Sequence, residues 1–105
     1  MSLVKIKTGV IPRNLYILAA IANVAQDLRY PVDIVITSGT DGKHKRGSMH
    51  YVGAALDVRS KNFPNRASKD RFLELVLSRL GAKYEGFLES VGTANEHFHF
   101  EYDPK

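Results

Sequence analysis

The chain has 105 residues, of which 44% are hydrophobic and 25% are charged, and it contains no cysteine. This length and composition predict a single globular domain over residues 1–105, and the lack of cysteine excludes disulfide bonds and thiolate metal sites. The formal net charge of +4 favours an anionic partner, such as nucleic acid, an acidic membrane or an anionic cell wall.

The first predicted element is a helix over residues 13–29, between Pro12 and Pro31. Its apolar residues repeat at helical spacing, and we expect them to face the core: Leu15, Leu18, Ile21, Ala22, Ala25 and Leu28. The longest apolar stretch of the chain, residues 15–25 within this helix, is shorter than the ~18–20 residues that cross a bilayer. We therefore expect no transmembrane segment. No signal peptide is recognisable after Met1, which leaves the localisation open.

The remaining elements alternate between strands and one further helix. Residues 32–37 (VDIVIT) and 54–59 (AALDVR) are predicted strands, joined by a loop with the basic cluster KHKR. A second helix is expected from Ala67 or Ser68 to Leu80, with Asp70 in its first turn and Gly81 as its C-cap. Residues 84–91 and 97–102 complete the set as strands. This order predicts an α+β domain with two principal helices and a small, mainly antiparallel sheet.

The last predicted strand, HFHFEY, carries different chemistry on its two faces. Because alternate side chains of a strand share a face, His97, His99 and Glu101 point one way and the aromatic residues point the other way. The aromatic face suits a core. The polar face is either exposed to solvent or part of a site, because burying such groups without partners is costly. Two histidines on one strand face do not by themselves indicate a metal site.

A second stretch, SMHYVGAALD (residues 48–57), contributes another histidine and an aspartate. His50, Asp57 and one histidine of the last strand would supply three N or O ligands, the number that catalytic zinc sites commonly use. Asp57 lies in an apolar run and needs a partner. A metal would meet that need, and so would a salt bridge to Arg59 or Arg66. The residue pattern alone leaves both interpretations open.

The spacing of this stretch resembles a known signature. The zinc D-Ala-D-Ala carboxypeptidase and dipeptidase family, which also contains L-alanyl-D-glutamate endopeptidases of phages, carries the pattern S-x-H-x-x-G-x-A-x-D. All fixed positions are matched here: Ser48, His50, Gly53, Ala55 and Asp57. The family's second motif, an acidic residue three positions before a histidine, resembles Glu96 and His99. Ser38-Gly39, after a predicted buried strand, resembles the segment that precedes the first motif.

This resemblance implies a fold, a cofactor and a set of roles. The fold would be the one that these peptidases share with the zinc domain of Hedgehog signalling proteins. One zinc per chain would be bound by His50, Asp57 and His99. Glu96 would be the general base, and His97 would lie nearby and stabilise the tetrahedral intermediate. Glu96 and His99 are three residues apart, so in a regular strand their side chains would point to opposite faces. Glu96 can therefore act as the base only if it lies in the turn before the strand or in a bulge; otherwise His97 is the better base.

The chain departs from the family at one point. The family's S-G-Y-R segment supplies an arginine that helps to bind the substrate, whereas this chain has Ser38-Gly39-Thr40-Asp41. Several cations could substitute, although lysine binds a carboxylate less specifically than arginine does: Lys43, Lys45, Arg46 and Arg59. Arg59 is the substrate-binding candidate on the strand of Asp57. Ser48 either hydrogen-bonds the substrate or is an ordinary turn serine.

Three functions fit these observations to different extents. The leading prediction is a monomeric, endolysin-like zinc metallopeptidase that hydrolyses an amide next to a D-amino acid in the stem peptides of cell-wall peptidoglycan. The alternative is a non-catalytic module that binds zinc or the cell wall, and a module would have little reason to keep Glu96. A nucleic-acid-binding domain would explain the basic cluster but not the two motifs, so no nucleic-acid partner is expected.

Overall fold

The structure is a computed structural model that describes residues 4–7, 14–28, 32–38 and 55–103. Within these ranges the chain forms helices α1 (Leu15–Asp27) and α2 (Arg66–Leu80). The strands are β1 (Val4–Ile6), β2 (Ile34–Ser38), β3 (Ala55–Arg59), β4 (Tyr84–Glu89) and β5 (His97–Tyr102). The predicted α+β class is therefore confirmed. Neither described helix is both long and apolar enough to cross a membrane.

The described strands form one sheet in the order β1-β2-β3-β5-β4. The β1–β2 pair is parallel, and the β2–β3, β3–β5 and β5–β4 pairs are antiparallel. The prediction of a mainly antiparallel sheet is thus confirmed, while the more specific Hedgehog-like fold stays a prediction. β1 was not predicted, and the last strand has the predicted bounds. The order matters for function because it makes β3 and β5, which carry Asp57 and the two histidines, direct neighbours.

One face of the sheet packs against the helices to form the core. Leu56 and Val58 of β3 and Phe98 and Phe100 of β5 are fully buried on this face. They belong to one cluster with apolar residues of both helices, including Phe72 of α2. Because side chains alternate along a strand, the residues between them project from the opposite face. We call that opposite face the site face; its central residues are Asp57, Arg59, His97, His99 and Glu101.

The predicted apolar stripe of α1 is right in part. Ile21 and Ala25 are buried as expected, but Leu15 is 49% exposed. The buried stripe instead begins at Ile17 and continues through Val24, at the i, i+3, i+4 and i+7 spacing of an amphipathic helix. The helix is also shorter than predicted at both ends, since it runs from Leu15 to Asp27.

Helix α2 begins earlier than predicted because of its N-cap. The Asn65 side chain accepts a hydrogen bond from the Ser68 amide at 2.8 Å, so the helix starts at Arg66. Asp70 consequently lies in the second turn and not in the first, and it pairs with Arg66 at 2.8 Å. The predicted C-cap is confirmed: Gly81 has a φ of 94° and donates its N–H to the carbonyl oxygen of Leu77.

Gly86 of β4 leaves room for the side chains of Phe100 on the neighbouring strand β5 and of Leu77 on α2. A Cβ atom at this position would lie 2.6 Å from Cδ1 of Phe100 and 3.1 Å from Cδ2 of Leu77. Phe100 is fully buried in the core cluster, where side chains are closely packed. We expect Gly86→Ala to lower the free energy of unfolding by ~1–3 kcal/mol, measured by urea denaturation. Ser78→Ala on the exposed side of α2 should change it by less than ~0.5 kcal/mol. Equal stability of both variants would contradict this packing.

Candidate metal centre and its cleft

Asp57 and His99 meet directly at the centre of the site face. They are register partners in the β3–β5 pair, between the partners Leu56–Phe100 and Val58–Phe98 of the core face. Oδ1 of Asp57 lies 2.8 Å from Nδ1 of His99. Both side chains are largely buried, with 16% and 10% of their surface exposed. The buried apolar neighbours on both strands therefore set the register of this strand pair, and that register places Asp57 opposite His99.

The second ring nitrogen of His99 contacts another carboxylate. Nε2 of His99 lies 2.8 Å from Oε1 of Glu101, which shares the same face of β5. Burial lowers the pKa of His99, but the hydrogen bonds and negative charges of Asp57 and Glu101 outweigh it and raise that pKa above its usual value. A histidine ligand typically donates its free ring N–H to a carboxylate in this way, which fixes its tautomer and strengthens it as a ligand.

The chemistry of this pair fits a metal. A carboxylate oxygen and an imidazole nitrogen are both ordinary zinc ligands, and Glu101 holds His99 with Nδ1 facing Asp57. Within the described ranges, no three His, Asp or Glu side chains are arranged to hold a metal by themselves. The third predicted ligand, His50, lies outside the described residues, as do Ser48, Lys43, Lys45 and Arg46. The full ligand set therefore stays a prediction.

His97 lies beside the Asp57–His99 pair. Its Nδ1 is 2.6 Å from the carbonyl oxygen of Asn95, to which it can donate a hydrogen. Its Nε2 then faces two carboxylates, Glu89 at 3.3 Å and Asp57 at 3.9 Å. The imidazole is 26% exposed, more than that of His99. His97 therefore presents a ring nitrogen to the same carboxylate that is expected to bind the metal, and solvent can reach it.

Glu96 precedes β5, as its predicted role requires, but its carboxylate is fully engaged in hydrogen bonds. Oε1 accepts from Lys69 of α2 at 2.5 Å and from Ser60 at 2.7 Å, while Oε2 accepts from the Gly92 amide at 2.9 Å. Lys69, then Gly92 and Ser60, lower the pKa of Glu96 to about 2. The carboxylate thus connects the end of β3, α2 and the turn before β5.

A cleft of about 480 Å³ lies over this part of the site face. Four of the predicted site residues line it: Asp57, Arg59, Glu96 and His97. The remaining lining is polar or small: Thr37, Lys61, Asn62, Ala94 and Asn95. The cleft therefore gives a ligand access to Asp57 and His97.

Neither of the two salt bridges that the sequence suggested for Asp57 is present among the described residues. A salt bridge to Arg66 is wrong, because Arg66 pairs with Asp70 on α2. No ion pair joins Arg59 to Asp57 within the described part of the chain, although both residues line the cleft. Asp57 is instead satisfied by His99, with His97 nearby. Asp57 therefore faces imidazole nitrogens, and its binding of a metal stays a prediction.

Sequence reasoning missed several residues of this site. It placed Glu101 on the face of the histidines but assigned it no role, although the two-residue spacing between His99 and Glu101 is the signal for their contact. It also missed Ser60 and Lys69, which contact Glu96 across 36 and 27 residues of sequence. No local pattern marks such contacts, because they depend on how α2 packs beside the sheet.

Comparisons with known proteins leave the family open. No family model matches the chain, and no curated protein matches it either. The geometry of the described residues and the two sequence motifs therefore carry the functional argument.

The hydrogen bonds of Glu96 predict a specific dependence of stability on pH. A carboxyl group whose pKa falls from 4.5 to about 2 on folding stabilises the native state above pH 4.5, and this contribution is lost as the pH falls towards 2. We expect Glu96→Gln to be less stable than the original protein at pH 7, and the difference in denaturation midpoint should shrink below pH 4.5. Glu74→Gln, at an exposed position of α2, is the control. A difference that is constant down to pH 3 would contradict the ionised state of Glu96.

Proposed function

We propose that this protein is a zinc-dependent peptidase that hydrolyses an amide bond next to a D-amino acid in cell-wall stem peptides. The observation that supports it most is the line of contacts from Glu101 through His99 to Asp57. This line joins two predicted zinc ligands and supplies the carboxylate that a ligating histidine commonly contacts. His50 is the proposed third ligand, on the strength of the signature alone.

Zinc would lower the pKa of a bound water to about 7 and polarise the scissile carbonyl. The side chains around the zinc would then have to transfer a proton. Hydrolysis adds the oxygen of water to the carbonyl carbon and breaks the C–N bond, and one proton of that water must reach the departing amine. A group with a basic atom beside the ligands, and with access to the cleft, is needed for this transfer.

His97 meets this requirement better than Glu96 in the described geometry. Its Nδ1 is fixed by the Asn95 carbonyl, its Nε2 faces Glu89 and Asp57, and the residue lines the cleft. The carboxylate of Glu96 is occupied by three donors, and its lowered pKa of about 2 makes it a weak base at neutral pH. We therefore assign proton transfer to His97 and a positioning role to Glu96, which holds the turn before β5. The resemblance assigns the base to Glu96, and both assignments are open to experiment.

Arg59 is the proposed substrate-binding cation. It projects from β3 on the face of Asp57, and it lines the cleft together with Lys61. No described residue forms an ion pair with it, so its guanidinium can bind a carboxylate of the substrate in a bidentate manner. Arg59 would thus fill the role of the family arginine that this chain lacks.

One observation favours the non-catalytic module as a second candidate. A module was disfavoured because it had little reason to keep Glu96. The contacts of Glu96 with Lys69, Ser60 and Gly92 supply such a reason, because they join three segments of the fold. Glu96 therefore no longer discriminates between an enzyme and a module, and only an activity measurement does.

The test uses one preparation for two measurements. Bound metal per chain is determined first, and purified peptidoglycan is then incubated with and without a chelator while the released peptides are identified by mass spectrometry. About one zinc per chain and chelator-sensitive release of stem peptides would support the peptidase. Zinc without release from any wall type would favour the module, and failure to bind added zinc would overturn the peptidase and a zinc-binding module.

A further inference from the structure

The site face is electrically polarised across its strands. At the β1 and β3 side it carries four cations: Lys5, Lys7, Arg59 and Lys61. The described acids that line the same clefts are already paired, Asp33 with Lys5, Asp57 with His99 and Glu96 with Lys69. At the β4 and β5 side it carries three acids: Glu85, Glu89 and Glu101. The candidate metal pair lies between the two halves, because β3 and β5 are adjacent. A charged ligand that crosses this face therefore has one favoured direction.

The cationic half extends beyond the cleft at the metal pair. A second cleft, of about 580 Å³, is lined by Lys5, Lys7 and Asp33, and it shares Arg59 and Asn62 with the first. Asp33 neutralises only Lys5, at 3.5 Å. Within the described ranges, no side chain forms an ion pair with Lys7, Arg59 or Lys61. The two clefts thus form a continuous surface with an excess of unneutralised positive charge.

The length of this surface sets the size of its ligand. β1 lies two strands from β3, which corresponds to about 10 Å at the usual spacing of neighbouring strands. An extended peptide covers about 3.3 Å per residue, so about three residues lie between Arg59 and Lys5. A single terminal carboxylate bound at Arg59 would leave Lys7 without a ligand and Lys5 with Asp33 alone.

We propose that the surface from Arg59 and Lys61 to Lys5 and Lys7 binds a carboxylate-bearing stretch of the substrate, so that the scissile bond lies within an acidic peptide and not at its terminal residue. The inference that the bound peptide is a substrate rests on the proposed peptidase function. The binding surface itself rests only on the charges and the two clefts. The acids of β4 and β5 lie on the other side of the metal pair, so an acidic stretch is favoured only on the cationic side.

The binding test uses two synthetic peptides, acetyl-tetraglutamate amide and acetyl-tetraglutamine amide. Each is titrated into the ¹⁵N-labelled protein, and amide shifts are followed by NMR. The glutamate peptide should shift the amides of Lys5, Lys7, Arg59 and Lys61, and the glutamine peptide should not. Lys5→Gln/Lys7→Gln should raise the Kd of the glutamate peptide by about 3- to 10-fold, since each exposed ion pair contributes modestly.

The matched control removes the same charge elsewhere. Arg71→Gln/Lys83→Gln takes two exposed cations from α2 and from the turn before β4 and should change the Kd by less than about 1.5-fold. Equal losses in both double variants would show an effect of net charge alone and would overturn the proposal. So would binding of both peptides, or of neither.

Product analysis separates this inference from the proposed function. Internal cleavage of wall peptides, together with binding of the glutamate peptide at the four cations, would support both this inference and the peptidase function. Cleavage that releases only single terminal residues would overturn the inference while the peptidase stands. Glutamate binding at these residues without cleavage of any wall peptide by zinc-loaded protein would overturn the peptidase while the anionic-peptide surface stands.

Discussion

Asp57→Ala protein is expected to purify with less than about a tenth of an equivalent of zinc and to release no stem peptides from peptidoglycan. The carboxylate is both a proposed ligand and the hydrogen-bond partner of His99, at 2.8 Å. Its removal leaves a largely buried imidazole nitrogen without that partner, which costs about 1–3 kcal/mol of stability in addition to the metal. Metal content, peptide release and the denaturation midpoint are measured on the same sample.

Two further variants separate metal loss from unfolding. Asp57→Asn keeps the shape and an acceptor oxygen for His99, so it should fold and still lose zinc. Glu101→Gln leaves all three proposed ligands in place and weakens only the contact with Nε2 of His99, so we expect a loss of about 10- to 100-fold in metal affinity or activity. Asp70→Ala, on the exposed side of α2, is the control. Full zinc content in Asp57→Asn would contradict the metal centre.

His97→Gln is expected to retain its zinc and to lose about 10²- to 10⁴-fold in rate, the range that general acid–base catalysis contributes. The glutamine cannot accept and return a proton at neutral pH, although it can still hydrogen-bond Asn95. Glu96→Gln should retain zinc and lose less than about 10-fold in rate. Its main defect should be the loss of stability at neutral pH, because the ion pair with Lys69 disappears.

The opposite ranking would return the base to Glu96. If Glu96→Gln loses 10²-fold or more at full zinc content and unchanged fold, while His97→Gln stays nearly active, the resemblance is the better guide. The dependence of kcat/KM on pH provides a second readout. Loss of the group that takes up the proton should remove the acidic limb of the profile, whereas loss of a positioning residue should lower the whole profile.

Local periodicity was sufficient for most of the fold. The alternation in HFHFEY predicts β5 with the bounds that the structure has, and the apolar runs predict β2 and β3 to within a few residues. β1 escaped prediction because its three residues are too few for periodicity to be visible. Leu15 was misassigned to the core because it lies two residues before Ile17, on the side of α1 away from the buried stripe.

The candidate site was predictable only where its residues share a strand or a motif. The common face of His97, His99 and Glu101 follows from alternation along β5, and the link to Asp57 follows from the signature. The engagement of Glu96 by Lys69 and Ser60 depends on the packing of α2 against the end of β3, which no spacing in the sequence encodes. The separation of positive and negative charge across the site face likewise becomes visible only once the strand order is known, because Lys5 and Arg59 are far apart in the chain.

The pairing of β3 with β5 has a thermodynamic consequence. Asp57 and His99 are 42 residues apart in sequence and meet only when these two strands are in register. A metal that binds both residues would therefore bind the native state and have little affinity for the unfolded chain. The free energy of unfolding would then rise with the concentration of free metal. At a free metal concentration of 100 times its Kd, this rise amounts to about 2.7 kcal/mol, a large share of the ~5–15 kcal/mol typical of such domains. Metal supply would then govern how long each copy survives proteolysis, in addition to whether it can cut its substrate.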